Sequence, residues 1–176
     1  MSKPRTFSPP EHMLGDARDE FRLDDWLEHQ AGAESLIRQA RRHVDLFSPD
    51  LDPRVLNRPG LVDALSSFAR GERHRRVRIL THDTRQAAQQ GHVLVPLIQT
   101  LTTSIEVRVT PEEFHDSDGS AYLIADRVGV LYREQADLPE GKLSFNAPQQ
   151  AKSLGTRFER LWEHSLPDQQ LRRLMV

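Results

Sequence analysis

The chain has 176 residues, of which 28% are charged, and its formal net charge is -2. That length is enough to bury the core of one domain. The absence of cysteine excludes disulfides, thiolate metal sites and cysteine nucleophiles. No apolar run approaches the ~20 residues of a membrane span, and no apolar segment typical of a signal peptide opens the chain. We therefore expect a cytoplasmic protein without membrane contact.

The two ends of the chain differ from its middle. Residues 1–19 contain Pro4, Pro9, Pro10 and Gly15 and lack an apolar period, so we expect a flexible N-terminal tail there. The ordered domain is expected to span residues 20–166. A C-terminal tail is expected for residues 167–176.

Helices and strands alternate along the predicted domain. The first predicted elements are a helix that Asp24 or Asp25 caps and that runs through Ala40, a strand at 43–47, a helix at about 59–70 and a strand at 77–80. A helical segment follows at 84–102, and Gly91 and Pro96 break it. The last predicted elements are a strand at 105–109, two adjacent strands at 119–126 and 128–133, and a helix at about 148–165. This order predicts an α/β fold with a mixed β-sheet flanked by helices. We find no internal repeat and expect a single lobe.

Three short motifs fall on these elements. Residues 47–50 read Phe-Ser-Pro-Asp at a strand end, residues 119–126 form an apolar strand that ends in Asp126, and residues 158–162 read Phe-x-x-Leu-Trp in the last helix. Together with the Ser-x-Asn step at 144–146, this order resembles a phospholipase D-like domain. More narrowly, it resembles an uncharacterised group of bacterial domains of that type, which occur alone or beside an acetyltransferase domain. The resemblance implies one phospholipase D-like lobe.

The chain departs from that superfamily at its catalytic motif. There the strand carries a histidine, a lysine two residues later and an aspartate five residues after the lysine. Counting back from Asp126, the first two places hold Gly119 and Ala121. The resemblance implies that the lost histidine is the nucleophile and the lost lysine the phosphate-binding cation, and neither glycine nor alanine can replace them. Asp126 either retains the family role of orienting a histidine or serves a hairpin turn.

These losses lead us to expect a non-enzymatic binding module without a cofactor. Its ligand would contain phosphate or be a protein partner. The resemblance makes Ser144 and Asn146 candidate ligand residues, because they match a hydroxyl and an amide of active members. The alternative is a structural role, in which both residues only hold the loop before the last helix in place. Active single-lobe members pair their half-sites across a two-fold axis, so a homodimer is also expected.

A phosphodiesterase or nuclease is the first alternative. His115 is a weak catalytic candidate, since it lies four residues before Gly119 but has no lysine near it and follows no family pattern. Two aspartates beside it would repel a phosphate.

Polar residues at strand ends form a second candidate site. Ser48 and Asp50 follow one strand, and His82 and Asp83 follow another. Ligands of open α/β sheets bind outside the carboxyl ends of strands. This position predicts a ligand site at these side chains, or a hard divalent cation site through Asp50, His82 and Asp83. Both aspartates also precede helical segments and suit helix caps.

A nucleic-acid- or ribosome-associated factor is the remaining alternative. Its candidate contacts are arginines in two clusters, Arg41 and Arg42 after the first helix and Arg73, Arg75 and Arg76 before the 77–80 strand. No aromatic residues are interleaved with them as a single-strand stacking platform would require. A solvated surface is the competing interpretation.

Overall fold

The computed structural model describes residues 11–173, without the side chains of the last two of these. Its strands are β1 (Glu20–Leu23), β2 (His43–Phe47), β3 (Arg76–Thr81), β4 (Ile105–Val109), β5 (Ala121–Ala125), β6 (Gly129–Arg133), β7 (Gly141–Ser144) and β8 (Leu166–Pro167). Its α-helices are α1 (Trp26–Gln39), α2 (Pro53–Leu56), α3 (Pro59–Ala69), α4 (Arg85–Gln89), α5 (Leu94–Thr100), α6 (Pro148–His164) and α7 (Gln170–Arg173). None of the helices in this part of the chain has the length and apolarity to cross a membrane.

All eight strands form one mixed sheet in the order β1-β7-β6-β5-β2-β3-β4-β8. The central strands β2, β3 and β4 are parallel, whereas β5 runs antiparallel to β2 and the remaining neighbours pair antiparallel. The predicted α/β fold with a mixed sheet is therefore confirmed. We call the side where β2, β3 and β4 end the carboxyl edge, and the side where they begin the amino edge.

Helices cover both faces of the sheet. One face packs on α1, α3 and α5, and the other packs on α6. Successive side chains of a strand point to opposite faces, so Leu123 and Ala125 of β5 join the core under α1, while Tyr122 and Ile124 join the core under α6. We refer to these faces as the α1 face and the α6 face.

Local signals explain the helix boundaries. The Asp25 carboxylate accepts the Glu28 backbone N–H at 2.8 Å, which fixes the start of α1 as the sequence predicts. The predicted break at Gly91 is confirmed, and this residue has a φ of +68°, which favours glycine. The predicted break at Pro96 is wrong. Pro96 lies in the first turn of α5, where a missing backbone N–H costs little.

Part of each predicted tail packs on the domain. The Leu14 N–H donates to Gln39 Oε1 at 2.6 Å, and the Gly15 N–H donates to the Phe145 carbonyl at 2.7 Å. At the other end, β8 pairs with β4, and Leu171 is buried. Residues 11–15 and 166–171 thus belong to the folded unit, and the rest of the tail prediction for 1–10 and 174–176 lies outside the described residues.

Candidate ligand site at the carboxyl edge

The carboxyl edge brings together most of the predicted ligand residues. Ser48 and Asp50 follow β2 there, and His82 and Asp83 follow β3. His115 reaches the same edge from the loop after β4, just behind a 3-10 turn at Glu112–Phe114. The edge is the one that the sequence predicts. Ser48 lies on its α1 face and His82 packs against Phe47 on its α6 face, so the sheet separates these two side chains.

Ser144 and Asn146 do not lie with them. Strand β7 starts at the carboxyl edge and ends with Ser144 at the amino edge, because its register pairs Ser144 with Val130 near the start of β6. The Asn146 N–H donates to Ser144 Oγ at 3.3 Å, and Asn146 Nδ2 donates to the Gly15 carbonyl at 2.9 Å. Ser144 and Asn146 are thus a strand's length away from the other candidate ligand residues. Their hydrogen bonds agree with the alternative that they hold the loop before the last helix in place, and their ligand role stays a prediction.

Asp126 also lies at the amino edge. Its carboxylate accepts the backbone N–H groups of Arg41, Arg42 and His43 at 2.7, 2.8 and 2.9 Å. Its φ of 51° belongs to the left-handed region, which aspartate tolerates in turns. Asp126 thus joins the β5–β6 turn to the start of β2, and it is a whole strand away from any group at the carboxyl edge.

The two imidazoles of the carboxyl edge lie on the α6 face. The rings of His82 and His115 stack with centroids 4.5 Å apart, and His82 also meets the edge of Phe47. Nδ1 of His82 bonds the Thr110 hydroxyl, and Nε2 of His115 donates to the Thr110 carbonyl at 3.1 Å. Nε2 of His82 is buried without a well-formed hydrogen bond, although the Asp118 backbone is close. Burial, aided by the neighbouring His115, lowers the pKa of His82.

The carboxylates near these imidazoles are already paired. Asp83 binds Arg85 at 2.8 Å, which holds the pKa of Asp83 below its usual range. Asp118 binds Arg157 at 2.5 Å and also accepts the Ser120 hydroxyl. Among residues 11–173, no group of three or more His, Asp or Glu side chains is arranged to hold a metal ion. The described side chains thus give the alternative of a cation at Asp50, His82 and Asp83 no support.

A second polar cluster occupies the α1 face of the same edge, and the sequence interpretation missed it. Arg133, the last residue of β6, pairs through Nη2 with Asp52 Oδ2 at 3.0 Å, and both side chains are buried. Arg54 bonds the other oxygen of Asp52 through Nε at 2.9 Å. Two guanidinium groups therefore share one buried carboxylate. The Asp50 carboxylate also interacts with both of them, and burial together with the neighbouring Asp52 raises the pKa of Asp50.

Aromatic and imidazole rings enclose these guanidiniums. Cζ of Arg54 lies 4.1 Å and Cζ of Arg133 lies 5.0 Å from the centroid of the Trp26 ring, in cation–π contact. Nε2 of His29 donates to the Pro139 carbonyl at 2.6 Å. Burial, reinforced by the charge of Arg133, lowers the pKa of His29 to about 4 against the opposing effect of that hydrogen bond. His29 is therefore a neutral ring beside the two cations.

A small cavity of about 30 Å³ lies at this cluster, and its lining includes Ser48, Ala121 and Arg133. Nη1 of Arg133 is buried and has no hydrogen-bond partner within the described part of the chain. Its burial lowers the pKa of Arg133. We call Arg133, Asp52, Arg54 and this cavity the Arg133 pocket.

The pocket contains Ala121, one of the two positions at which the resemblance implies a lost motif residue. Ala121 stands directly opposite Arg133 in the β5–β6 register, and directly opposed residues of an antiparallel pair point to the same face. The signal for Arg133 was present in the sequence. A hairpin turning at Asp126 places Arg133 across from Ala121, so a register count from the turn identifies it.

The architecture defines the class of the protein. The chain superposes on a phospholipase D family member, Nuc from Salmonella typhimurium, with a TM-score of 0.57 over 77% of this chain and 88% of that one, at 15% identity. NucT from Helicobacter pylori gives 0.58 over 85% and 99%, at 11% identity. TrmBL2, an archaeal chromatin protein, gives 0.62 over 89% and 56%, at 12% identity. The fold is that of a phospholipase D-like lobe.

Residues 26–174 match the family described as "Domain of unknown function (DUF7931)", and the chain belongs to that family. A comparison with curated proteins found no match.

Proposed function

We propose that this chain is a non-catalytic phospholipase D-like module that holds a phosphate group of its ligand in the Arg133 pocket. The observation that carries the proposal is the position of Arg133, across from Ala121 and with Nη1 unpartnered. The cation that the family supplies from β5 is absent at Ala121, and a guanidinium from β6 stands at the same place on the same face. Binding of phosphate is therefore supported where the catalytic lysine is gone.

The arrangement of the possible catalytic groups at the same edge supports the non-catalytic part of this proposal. Gly119 provides no nucleophile, and a transfer through a covalent intermediate requires both a nucleophile and a general acid. His82 and His115 lie on the α6 face, whereas Ala121 and Arg133 face α1. Thr110 engages one nitrogen of each ring. These arrangements favour binding over phosphodiester hydrolysis.

Phosphate is the ligand chemistry that the pocket fits best. Guanidinium groups bind phosphate oxygens through two parallel hydrogen bonds, and burial strengthens such bonds. The cavity has room for one or two atoms of water size, and most of its lining is apolar, with Arg133, His29 and Ser48 among the polar residues. One phosphate oxygen would therefore enter beside Arg133 while the rest of the ligand lies at the surface. Arg54, whose side chain is 41% exposed, is placed to meet that outer part.

The test is a titration of the ¹⁵N-labelled protein with inorganic phosphate and with bis-p-nitrophenyl phosphate, followed by NMR. We expect the Nε–Hε resonance of Arg133 and the amide of Ser48 to shift in a saturable way. The variant Arg133→Gln should bind at least about tenfold more weakly, because a charge-assisted hydrogen bond contributes more than 1.4 kcal/mol. Arg85→Gln is the matched control and should bind as the parent does, since Arg85 bonds only Asp83.

Arg54→Gln and Arg133→Lys are additional variants for the case that Arg133→Gln does not fold. Each of them keeps a positive charge next to Asp52. Both should still bind phosphate, with reduced affinity. An Arg133 resonance that stays unchanged at saturating phosphate would overturn the proposal. So would hydrolysis of the diester that persists in Arg133→Gln and disappears in His115→Ala, which would establish the phosphodiesterase alternative.

A further inference from the structure

The arginines that the sequence interpretation assigned to nucleic acid converge on the amino edge. Arg41 and Arg42 directly precede β2, and Arg73, Arg75 and Arg76 lead into β3, which pairs with β2 in parallel register. The end of α1, the end of α3 and the β5–β6 turn add three more arginines to this edge, Arg38, Arg70 and Arg127. We call these eight residues the basic edge.

The basic edge has few acids of its own. The segments 38–43, 70–76 and 126–128 contain these eight arginines and only two acids, Glu72 and Asp126. The whole chain has 24 Lys and Arg against 26 Asp and Glu, which leaves 16 and 24 for all other segments. A chain with a net charge of -2 is therefore strongly polarised, with its positive charge concentrated at one end of the sheet.

Three guanidiniums of the basic edge are placed to meet an anion. Arg41, Arg42 and Arg73 are exposed. Arg70 and Arg76 hydrogen-bond the Ser66 hydroxyl and the carbonyls of residues 73 and 75, and Arg75 packs over the Phe68 ring. Among the residues described, no ion pair joins an arginine of the basic edge to a carboxylate. The Asp126 carboxylate accepts three backbone N–H groups, so this acid is committed to the fold.

Chain geometry spreads the cations in a row. The turn with Arg127, the start of β2 and the start of β3 follow one another across the sheet, and neighbouring strands lie about 4.8 Å apart. A groove of about 610 Å³ runs beside the row. Three arginines, Arg38, Arg41 and Arg75, and two acids, Asp16 and Asp126, line it. Arginine at such spacing meets several phosphates of one polyanion rather than a single anion.

We propose that the basic edge binds the phosphate backbone of a double-stranded nucleic acid without sequence preference. No aromatic side chain belongs to the row, so it lacks the stacking platform that single strands require. Insertion into a membrane surface requires an apolar face beside the charges, and Met13 is the one large exposed apolar side chain that lines the groove. Phosphate contacts alone position a protein on a duplex.

The experiment is fluorescence anisotropy with labelled duplex DNA, duplex RNA and single-stranded DNA over a series of salt concentrations. We expect both duplexes to bind, with an affinity that falls steeply as salt rises. In the triple variant Arg41→Gln, Arg42→Gln, Arg73→Gln the affinity should fall at least about tenfold, and the slope of log K against log salt should shrink by about 2 to 3, since each lost phosphate contact removes about 0.9.

The matched control removes the same charge elsewhere through Arg22→Gln, Arg85→Gln and Arg160→Gln, three exposed arginines outside the basic edge. It should retain most of the affinity and the slope. Equal losses in the two triples, tighter binding of single strands, or binding of phosphatidylserine vesicles without any duplex binding would each overturn the proposal. Binding of only one kind of duplex would retain the backbone contact and identify the helix geometry that the edge accepts.

Discussion

Ala121 and Arg133 stand opposite each other in the β5–β6 strand pair. Ala121 of β5 leaves room on the α1 face, and Arg133 of β6 extends beside that room to reach Asp52. Removing one partner of a buried pair leaves an uncompensated charge and is costly, which explains why Arg133, Asp52 and Arg54 act together as a unit. The proposed anion site rests on this group of three side chains.

Substitution of Asp126 tells whether this acid has a structural role or binds a ligand. Asp126→Ala removes the acceptor for three backbone N–H groups and places alanine at a left-handed φ, so we expect the free energy of unfolding to fall by about 2 kcal/mol. Urea denaturation measures this loss. Asp126→Asn keeps a side chain that tolerates the turn and should lose less. Unchanged stability together with lost phosphate binding would show that Asp126 serves the ligand instead.

The elements around the Arg133 pocket include a loop whose backbone carbonyls accept hydrogen bonds from two side chains. Residues 134–140 connect β6 to β7, and Arg54 donates from Nη1 to the Asp137 carbonyl at 3.1 Å and from Nη2 to the Ala136 carbonyl at 3.3 Å. His29 holds the other end through the Pro139 carbonyl. The same guanidinium thus bonds the acid of the pocket and the loop over it.

Arg54→Met should release this loop. Methionine keeps an apolar stem for the Trp26 ring but cannot donate to the two carbonyls, so we expect faster amide hydrogen exchange in residues 134–140, by about tenfold. Hydrogen exchange followed by mass spectrometry measures the change. Arg85→Met, which removes an arginine that bonds only Asp83, is the control and should leave the loop unchanged. Faster exchange throughout the sheet would instead indicate general destabilisation.

Long apolar periods made most elements predictable from the sequence. The boundaries of α1, β2 and β4 agree with their predictions within a residue or two, because each has a buried face and a clear stop signal. Strands β1 and β7 were not predicted as strands, and they have four residues each, partly exposed. The two-residue β8 has no periodicity to detect. Such short strands form because a neighbouring strand offers its backbone groups, which local sequence does not report.

The candidate site was only partly predictable for a related reason. Strand-end positions predict that Ser48 and His82 lie at one edge of the sheet, but the face on which each lies depends on register and on the loops. Arg133 and Asp52 are 81 residues apart, and their contact requires β6, β5 and β2 to be neighbours in that order. Their pairing therefore follows from the assembled sheet and from no local motif.

At the scale of the whole molecule, the pH dependence of the free energy of unfolding involves buried neutral histidines. His29 and His92 each donate from Nε2 to a carbonyl, of Pro139 and of Leu51. Burial lowers the pKa of both rings, that of His29 to about 4. In the unfolded chain these rings titrate near 6.5. The unfolded state therefore binds more protons than the folded state as pH falls below about 7, and stability present above that pH is lost between about 6.5 and 4.

We expect the free energy of unfolding to fall by about 2 kcal/mol between pH 7 and pH 5 through His29 alone, since one pKa unit corresponds to about 1.4 kcal/mol. Urea denaturation at the two pH values measures the fall. In His29→Gln, which keeps a donor for the Pro139 carbonyl, the difference should shrink by about that amount. A difference as large in the variant as in the parent would show that other groups carry the pH dependence.

The homodimer stays a prediction, which light scattering on the same samples tests.

The length of β2 has a consequence for how the two ends of the sheet can be used. Its five residues, at about 3.3 Å each, separate the amino and carboxyl edges by about 16 Å. A duplex along one edge and a phosphate-bearing molecule at the other would share no side chain and would not collide. The sheet would then serve as a rigid spacer that keeps two bound molecules at a fixed distance, each raising the local concentration of the other.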